Sequence, residues 1–146
     1  MKTNWILIAS ASRARLLQQD VGEPMVVLTS FDHPQNRLKA SELGDDRAGQ
    51  ERSDGSFGGA AYEPRTDAKQ KEHDRFAREI ADYLEQQARQ GRYRSLAMFS
   101  PSQFMGDLKA ALGSSTAKLL TSTHDVDLTA VGLAEIERRI AHELVQ

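Results

Sequence analysis

The chain of 146 residues contains no cysteine, which removes disulfides, thiolate zinc sites and cysteine nucleophiles together and fits a reducing compartment. No apolar run approaches the ~20 residues that a membrane span needs, so membrane insertion is not expected. A large excess of either charge is also missing. Nineteen Lys and Arg against 21 Asp and Glu leave a net charge of −2, too little to draw DNA, RNA or anionic lipid globally. DNA is therefore not an expected partner, and any RNA contact needs a local basic patch.

Other absences concern chemistry. No serine sits in a Gly-x-Ser-x-Gly elbow, so an esterase triad has no support. The glycine pair Gly58-Gly59 is followed by Ala60 and not by a phosphate-binding lysine. His33, His73, His124 and His142 never fall at His-x-x-x-His spacing, the arrangement that places two ligands on one helical face. The first apolar segment, Trp5 to Ala9, carries no carboxylate, whereas a nuclease that uses two Mg²⁺ ions needs carboxylates on neighbouring strands. No metal site and no cofactor is expected.

What is present reads as one α/β domain over 1–146, long enough to bury roughly 70% of its unfolded surface. Trp5 to Ala9 is a continuous apolar run, the pattern of a strand covered on both faces. Lys2 before it and Ala9-Ser10-Ala11 after it have the outline of a secretion signal. The apolar part is shorter than the ~7–15 residues of such a signal, which favours a strand and a cytoplasmic protein. From Ser12 to Gln18, Ala14 and Leu16 alternate with Arg13, Arg15 and Leu17, the period of a half-covered strand. Turn chemistry at Val21-Gly22-Glu23-Pro24 leads into a third strand, Met25 to Phe31, and completes an antiparallel meander.

A long polar stretch follows, and residues 40–66 read as a mobile loop within the domain; within it, Gly44 to Gly59 has almost no apolar residues and cannot bury enough surface to order itself. Thr66 or Asp67, with Gln70, is placed to cap a helix whose stripe is His73, Phe76, Ile80, Tyr83, Leu84 and Gln87, ending at Gly91. A strand at Ser95 to Ser100 precedes a helix capped by Ser100 with Pro101 at its first position. Ala117 to Thr121 reads as the last strand and Gly132 to Val145 as the last helix. Helix-linked strands imply parallel, right-handed crossovers. The expected fold is a three-layer α/β domain on a mixed five-stranded sheet, with the ribonuclease-H-like order of elements.

The cations Arg13, Arg15, Arg37, Lys39, Arg47, Arg52 and Arg65 lie in the second strand or the polar stretch, where together they could meet phosphates. Acids are interleaved through the polar stretch, and a mixed-charge run is commonly just a solvated face. Arg13 and Arg15 share one side of a strand with no acid between them. Gly58 and Gly59 allow a backbone to approach another surface closely. His73 or His33, with nearby acids such as Asp32, could serve a hydrolase as a base. His73 also fits a plain boundary position one turn before Phe76.

Several motifs together resemble a known family. They are Trp5-Ile6-Leu7-Ile8-Ala9-Ser10-Ala11-Ser12-Arg13-Ala14-Arg15, His33-Pro34 with Arg37-Leu38, Glu63-Pro64-Arg65-Thr66-Asp67, His73-x-x-Phe76-Ala77, and Asp127-Leu128. Over essentially the whole chain they resemble the bacterial host attachment proteins, a family required for attachment to host cells. That family is similar to the central domain of archaeal and eukaryotic peptide-chain release factors. The resemblance implies a ribonuclease-H-like fold, a mobile functional loop and a ribosomal address. In those factors the loop carries Gly-Gly-Gln, which triggers peptidyl-tRNA hydrolysis; here the stretch reads Phe57-Gly58-Gly59-Ala60-Ala61, without the glutamine.

The leading expectation is a non-catalytic protein that binds the ribosome or structured RNA. Its candidate binding residues are Arg13, Arg15, Arg37, Lys39, Gly58, Gly59, Arg65 and His73. Two alternatives stand beside it: a protein-interaction or adhesion module, and a hydrolase using His73 or His33. No oligomeric state is assigned.

Overall fold

The computed structural model describes residues 3–20, 22–32 and 58–145, without the side chains of 58–67 and 142–145. Its elements in chain order are β1 (Asn4–Ala9), β2 (Arg13–Gln19), β3 (Val26–Asp32), α1 (Gly58–Arg89), β4 (Ser95–Phe99), α2 (Ser102–Ala111), α3 (Ser114–Leu119), β5 (Leu120–His124) and α4 (Leu133–Val145). The strands form one sheet in the order β3-β2-β1-β4-β5. β1, β2 and β3 pair antiparallel, whereas β4 lies parallel to β1 and β5 parallel to β4. This is the mixed five-stranded α/β arrangement that the sequence pattern implied.

β1 is central and covered on both sides, so its apolar residues divide by parity. Trp5, Leu7 and Ala9 face one core, with Ala14, Leu16, Leu96 and Met98 from neighbouring strands. Phe76, Ile80 and Leu84 of α1 and Phe104 and Leu108 of α2 complete that first face. Ile6, Ile8, Leu17, Ala97 and Phe99 point the other way, onto Leu128 and onto Ile136 and Ile140 of α4. Two apolar cores on opposite faces of one sheet make three layers. Aromatic pairs fix the first face: Trp5 stacks on Tyr93 with centroids 4.3 Å apart, and Phe31 meets Tyr83 edge-on at 5.5 Å.

Local readings of the sequence differ from the structure in three places. α1 begins at Gly58 and not at Thr66 or Asp67, so residues 58–66 of the expected mobile loop are helical. The residues from 40 to 57 lie outside those described. Gly58-Gly59 and Pro64 suggest a breaker, and Pro64, at the seventh position of α1, both withdraws a backbone donor and crowds the carbonyl four residues back; the helix runs through this local cost. Gln70 is consequently inside the helix and not in a capping box; its Nε2 donates to Asp74 Oδ1 at 2.9 Å and to Asp107 Oδ1 at 3.2 Å.

Ser100 does not cap α2, because its Oγ turns to the Pro101 carbonyl at 3.2 Å. Asp125 serves instead, its Oδ1 accepting the Ser102 N–H at 2.9 Å from beyond the end of β5. The expected strand Ala117–Thr121 starts later, at Leu120, because Ser114 to Leu119 form α3. Serine and threonine are poor local helix signals. The turn is held from a distance: Glu85 of α1 accepts N–H groups of Ser115 and Thr116.

Candidate functional site

Strand alternation puts Arg13 and Arg15 on the second face and Ala14 and Leu16 on the first, where both apolar side chains are buried. Across the ladder Arg13 pairs with Asp32, Ala14 with Phe31 and Arg15 with Ser30. Arg13 and Asp32 are both exposed, and their direct opposition joins charges of opposite sign. Arg15, two residues further in, is half-buried.

The Arg15 guanidinium reaches the segment between β5 and α4. Its Nη2 donates to the backbone carbonyls of Leu128 at 3.2 Å, Thr129 at 2.9 Å and Val131 at 2.8 Å. One nitrogen carries two hydrogens, so three acceptors require a shared bond. The segment is also folded on itself. Asp127 Oδ1 accepts from the Thr129 N–H at 2.9 Å and from the Thr129 hydroxyl at 2.6 Å, and the Val131 N–H donates to the Leu128 carbonyl.

Between this pinned segment and the ends of β2 and β3 lies a cleft of about 540 Å³, in the size range of small-ligand sites. Arg13, Arg15, Ser30 and Asp32 line one wall, and Thr129 to Gly132 the other. The cleft can offer an anion an exposed guanidinium, and hydroxyl groups for hydrogen bonds.

The remaining sequence candidates are not gathered there. Gly58 and Gly59 open α1, and Arg65 lies in its third turn. His73 is half-buried further along α1, which packs on the first face of the sheet. Arg37, Lys39 and His33 lie outside the described residues. His124 stacks on Phe99 with centroids 4.3 Å apart, and its Nε2 is 3.0 Å from Ser122 Oγ. Among the described residues, no three His, Cys, Asp or Glu side chains come together as a metal ion would require.

A second polar assembly lies on the first face, and sequence reasoning did not single it out. Glu85 is buried, and Oε1 accepts the Thr116 N–H and hydroxyl, each at 3.0 Å. Oε2 accepts the Ser115 N–H at 3.3 Å and Arg89 Nε at 3.1 Å. The Thr116 N–H is the largest influence holding the Glu85 carboxyl down to about pKa 2, against the opposing effect of burial. Burial pushes the neighbouring Tyr93 phenol up, and its hydroxyl donates to the Leu84 carbonyl at 3.0 Å. A Cβ at Gly113, just before α3, would collide with the Glu85 carboxylate. Only an acid at an apolar stripe's edge marks this in the sequence, because its partners are backbone groups.

The fold and the cleft belong to a small α/β domain built on a single mixed sheet. Residues 5–140 match the family model described as protein required for attachment to host cells, and the chain belongs to that family. No curated protein matches it. Among solved structures it is similar to an archaeal translation termination factor, at 12% identity and a TM-score of 0.44, covering 97% of this chain and 39% of that one. It is also similar to a structure described as an archaeal protein, at 12% identity and a TM-score of 0.46, covering 98% of this chain and 38% of that one. The chain thus spans about two fifths of the length of these neighbours.

Proposed function

We propose that this member of the host attachment family is a non-catalytic binding protein whose cleft takes the phosphate backbone of structured RNA, with the ribosome as its carrier. One observation carries the reading: exposed Arg13 stands at a cleft whose opposite wall is fixed by Arg15. A guanidinium held beside a preformed wall loses less freedom on binding a phosphate than one on a free surface. Arg37 and Lys39 follow Asp32, a residue of the cleft, by a few positions and extend the supply of cations along the chain. With a net charge of −2, affinity depends on this local cluster, and each phosphate contact adds to the salt dependence. On this reading, the requirement for host attachment is indirect and follows from a translation-linked role.

Sedimentation of the purified chain with isolated ribosomal subunits, at low and moderate salt, tests this. Co-sedimentation that weakens with salt and is lost in Arg13→Glu is expected. Retention of the wild type at the top of the gradient at both salt concentrations overturns the reading.

A further inference from the structure

The two edges of the sheet differ in chemistry. β5 ends one side as Leu120-Thr121-Ser122-Thr123-His124, with small hydroxyl side chains at its exposed positions. β3 ends the other side among the described residues, with Val26, Val27 and Leu28 in succession, exposed at 45, 44 and 39%. Among the described residues the only other large exposed apolar side chain is Leu133. The register skips from Thr29 opposite Leu16 to Val27 opposite Leu17, so Leu28 is a bulged residue without a partner on β2. Natural edges are usually blunted with charge or proline, because an open edge invites another strand. Here the blunting device is the bulge at Leu28, and the middle of the edge carries no charge and is apolar.

The start of β3 adds a second, independent observation. A cavity of about 420 Å³ there is lined by Gln18, Asp20, Glu23, Pro24 and Val26. Asp20 Oδ2 accepts a 3.4 Å bond from Gln18 Nε2, while its Oδ1 is buried with no hydrogen-bond partner. An unmet buried carboxylate oxygen is costly, and a cationic donor is the group that best satisfies it. The far end of the strand also carries an acid, Asp32. A second copy added antiparallel would bring its own Asp32 toward Asp20 and Glu23, placing like charges together. The charge pattern therefore selects a foreign strand with a basic end.

We infer that the β3 edge takes an extended segment of a partner protein as an added strand. Apolar side chains of that segment cover Val26 to Leu28, and a lysine or arginine at one end enters the cavity to meet Asp20. Backbone hydrogen bonds along the edge supply affinity, and the cavity supplies direction and specificity.

Selection from a short random-peptide library on the immobilised full chain tests this, followed by anisotropy titration of the enriched peptides. Expected are peptides that alternate apolar residues and carry Lys or Arg at one end. Their affinity should fall at least tenfold in Asp20→Asn and be lost in Val27→Lys, with unchanged circular dichroism in both variants. Enrichment without those features, or affinities indifferent to both substitutions, overturns the inference. So does a wild-type dimer in equilibrium sedimentation that Val27→Lys dissociates, since the occupant would then be a second copy.

Discussion

Glu85 and Arg15 act alike with opposite charge. Each is a side chain from a well-packed element that fastens a distant, irregular piece of backbone. Glu85 reaches from α1 to the first N–H groups of α3, and Arg15 reaches from β2 to three carbonyls before α4. Carboxylates suit free amides and guanidinium suits free carbonyls, which is why the signs are opposite. Their settings differ. The Glu85 assembly is closed under α3, and both of its oxygens are occupied. Arg15 is half-buried and opens onto the cleft beside exposed Arg13. The first anchor only maintains the fold, whereas the second shapes a surface that can receive something.

The two anchors rest on apolar packing, and removing that packing should give the largest loss of stability. Phe76 is fully buried on the first face, stacked 5.8 Å from Phe104. Phe76→Ala should cost about 3–5 kcal/mol, read by chemical denaturation. A change below ~1 kcal/mol would mean the first core does not carry the fold.

Next in size are the changes to the Glu85 anchor. Gly113→Ala forces a methyl group into the carboxylate, and a melting temperature lowered by several degrees is expected. Glu85→Gln asks for the charge alone. Because the folded pKa lies below the ordinary value of 4.5, the charge's contribution is complete above pH 4.5 and disappears as pH falls through about 2. The melting-temperature difference between wild type and Glu85→Gln should therefore be constant near neutrality and shrink across that acid window. Parallel curves down to pH 2 would show that the carboxylate is held by shape and not by charge.

Neither anchor was legible in the sequence, and the reason is the same for both. The apolar run Trp5 to Ala9, the alternation of β2 and the stripe Phe76-Ile80-Leu84 announce their elements because burial follows a fixed period. A side chain that bonds backbone leaves no such pattern, since any residue supplies the N–H or carbonyl. Arg15 was visible as a cation, but its three acceptors lie more than a hundred positions away. The expected strand Ala117–Thr121 overlaps the end of α3 for this reason: the Ser-Ser-Thr start forms helix because Glu85 supplies acceptors that the local sequence does not announce. The start of α1 was hidden differently, by glycines and a proline whose local preference the helix overrides.

Breaking the second anchor should be milder. Arg15→Met keeps the aliphatic stem and strands three carbonyls beside the cleft, which solvent can partly rehydrate. A loss of about 2 kcal/mol is expected. Since all three bonds come from one nitrogen, Arg15→Lys should recover part of that loss, in contrast to sites that use a two-pronged guanidinium. Equal losses in both variants would indicate that the fork's geometry matters more than the donor.

The smallest effect on stability belongs to Arg13, and it separates the two anchors most clearly. Arg13 is exposed, and its cross-strand neighbour Asp32 is exposed as well, so Arg13→Ala should change stability by less than about 0.5 kcal/mol. If the Arg15 anchor exists to shape a binding surface, the same substitution should weaken ribosomal-subunit binding and lower the salt slope by about one phosphate contact. Arg15→Met should weaken binding as well, but together with a measurable loss of stability. Glu85→Gln should leave binding unchanged at neutral pH, where the variant remains folded. Binding that fell in proportion to stability across all three variants would reduce Arg15 to a second structural clasp. Binding lost in Arg13→Ala at full stability would mark the cleft as the surface that meets the phosphate.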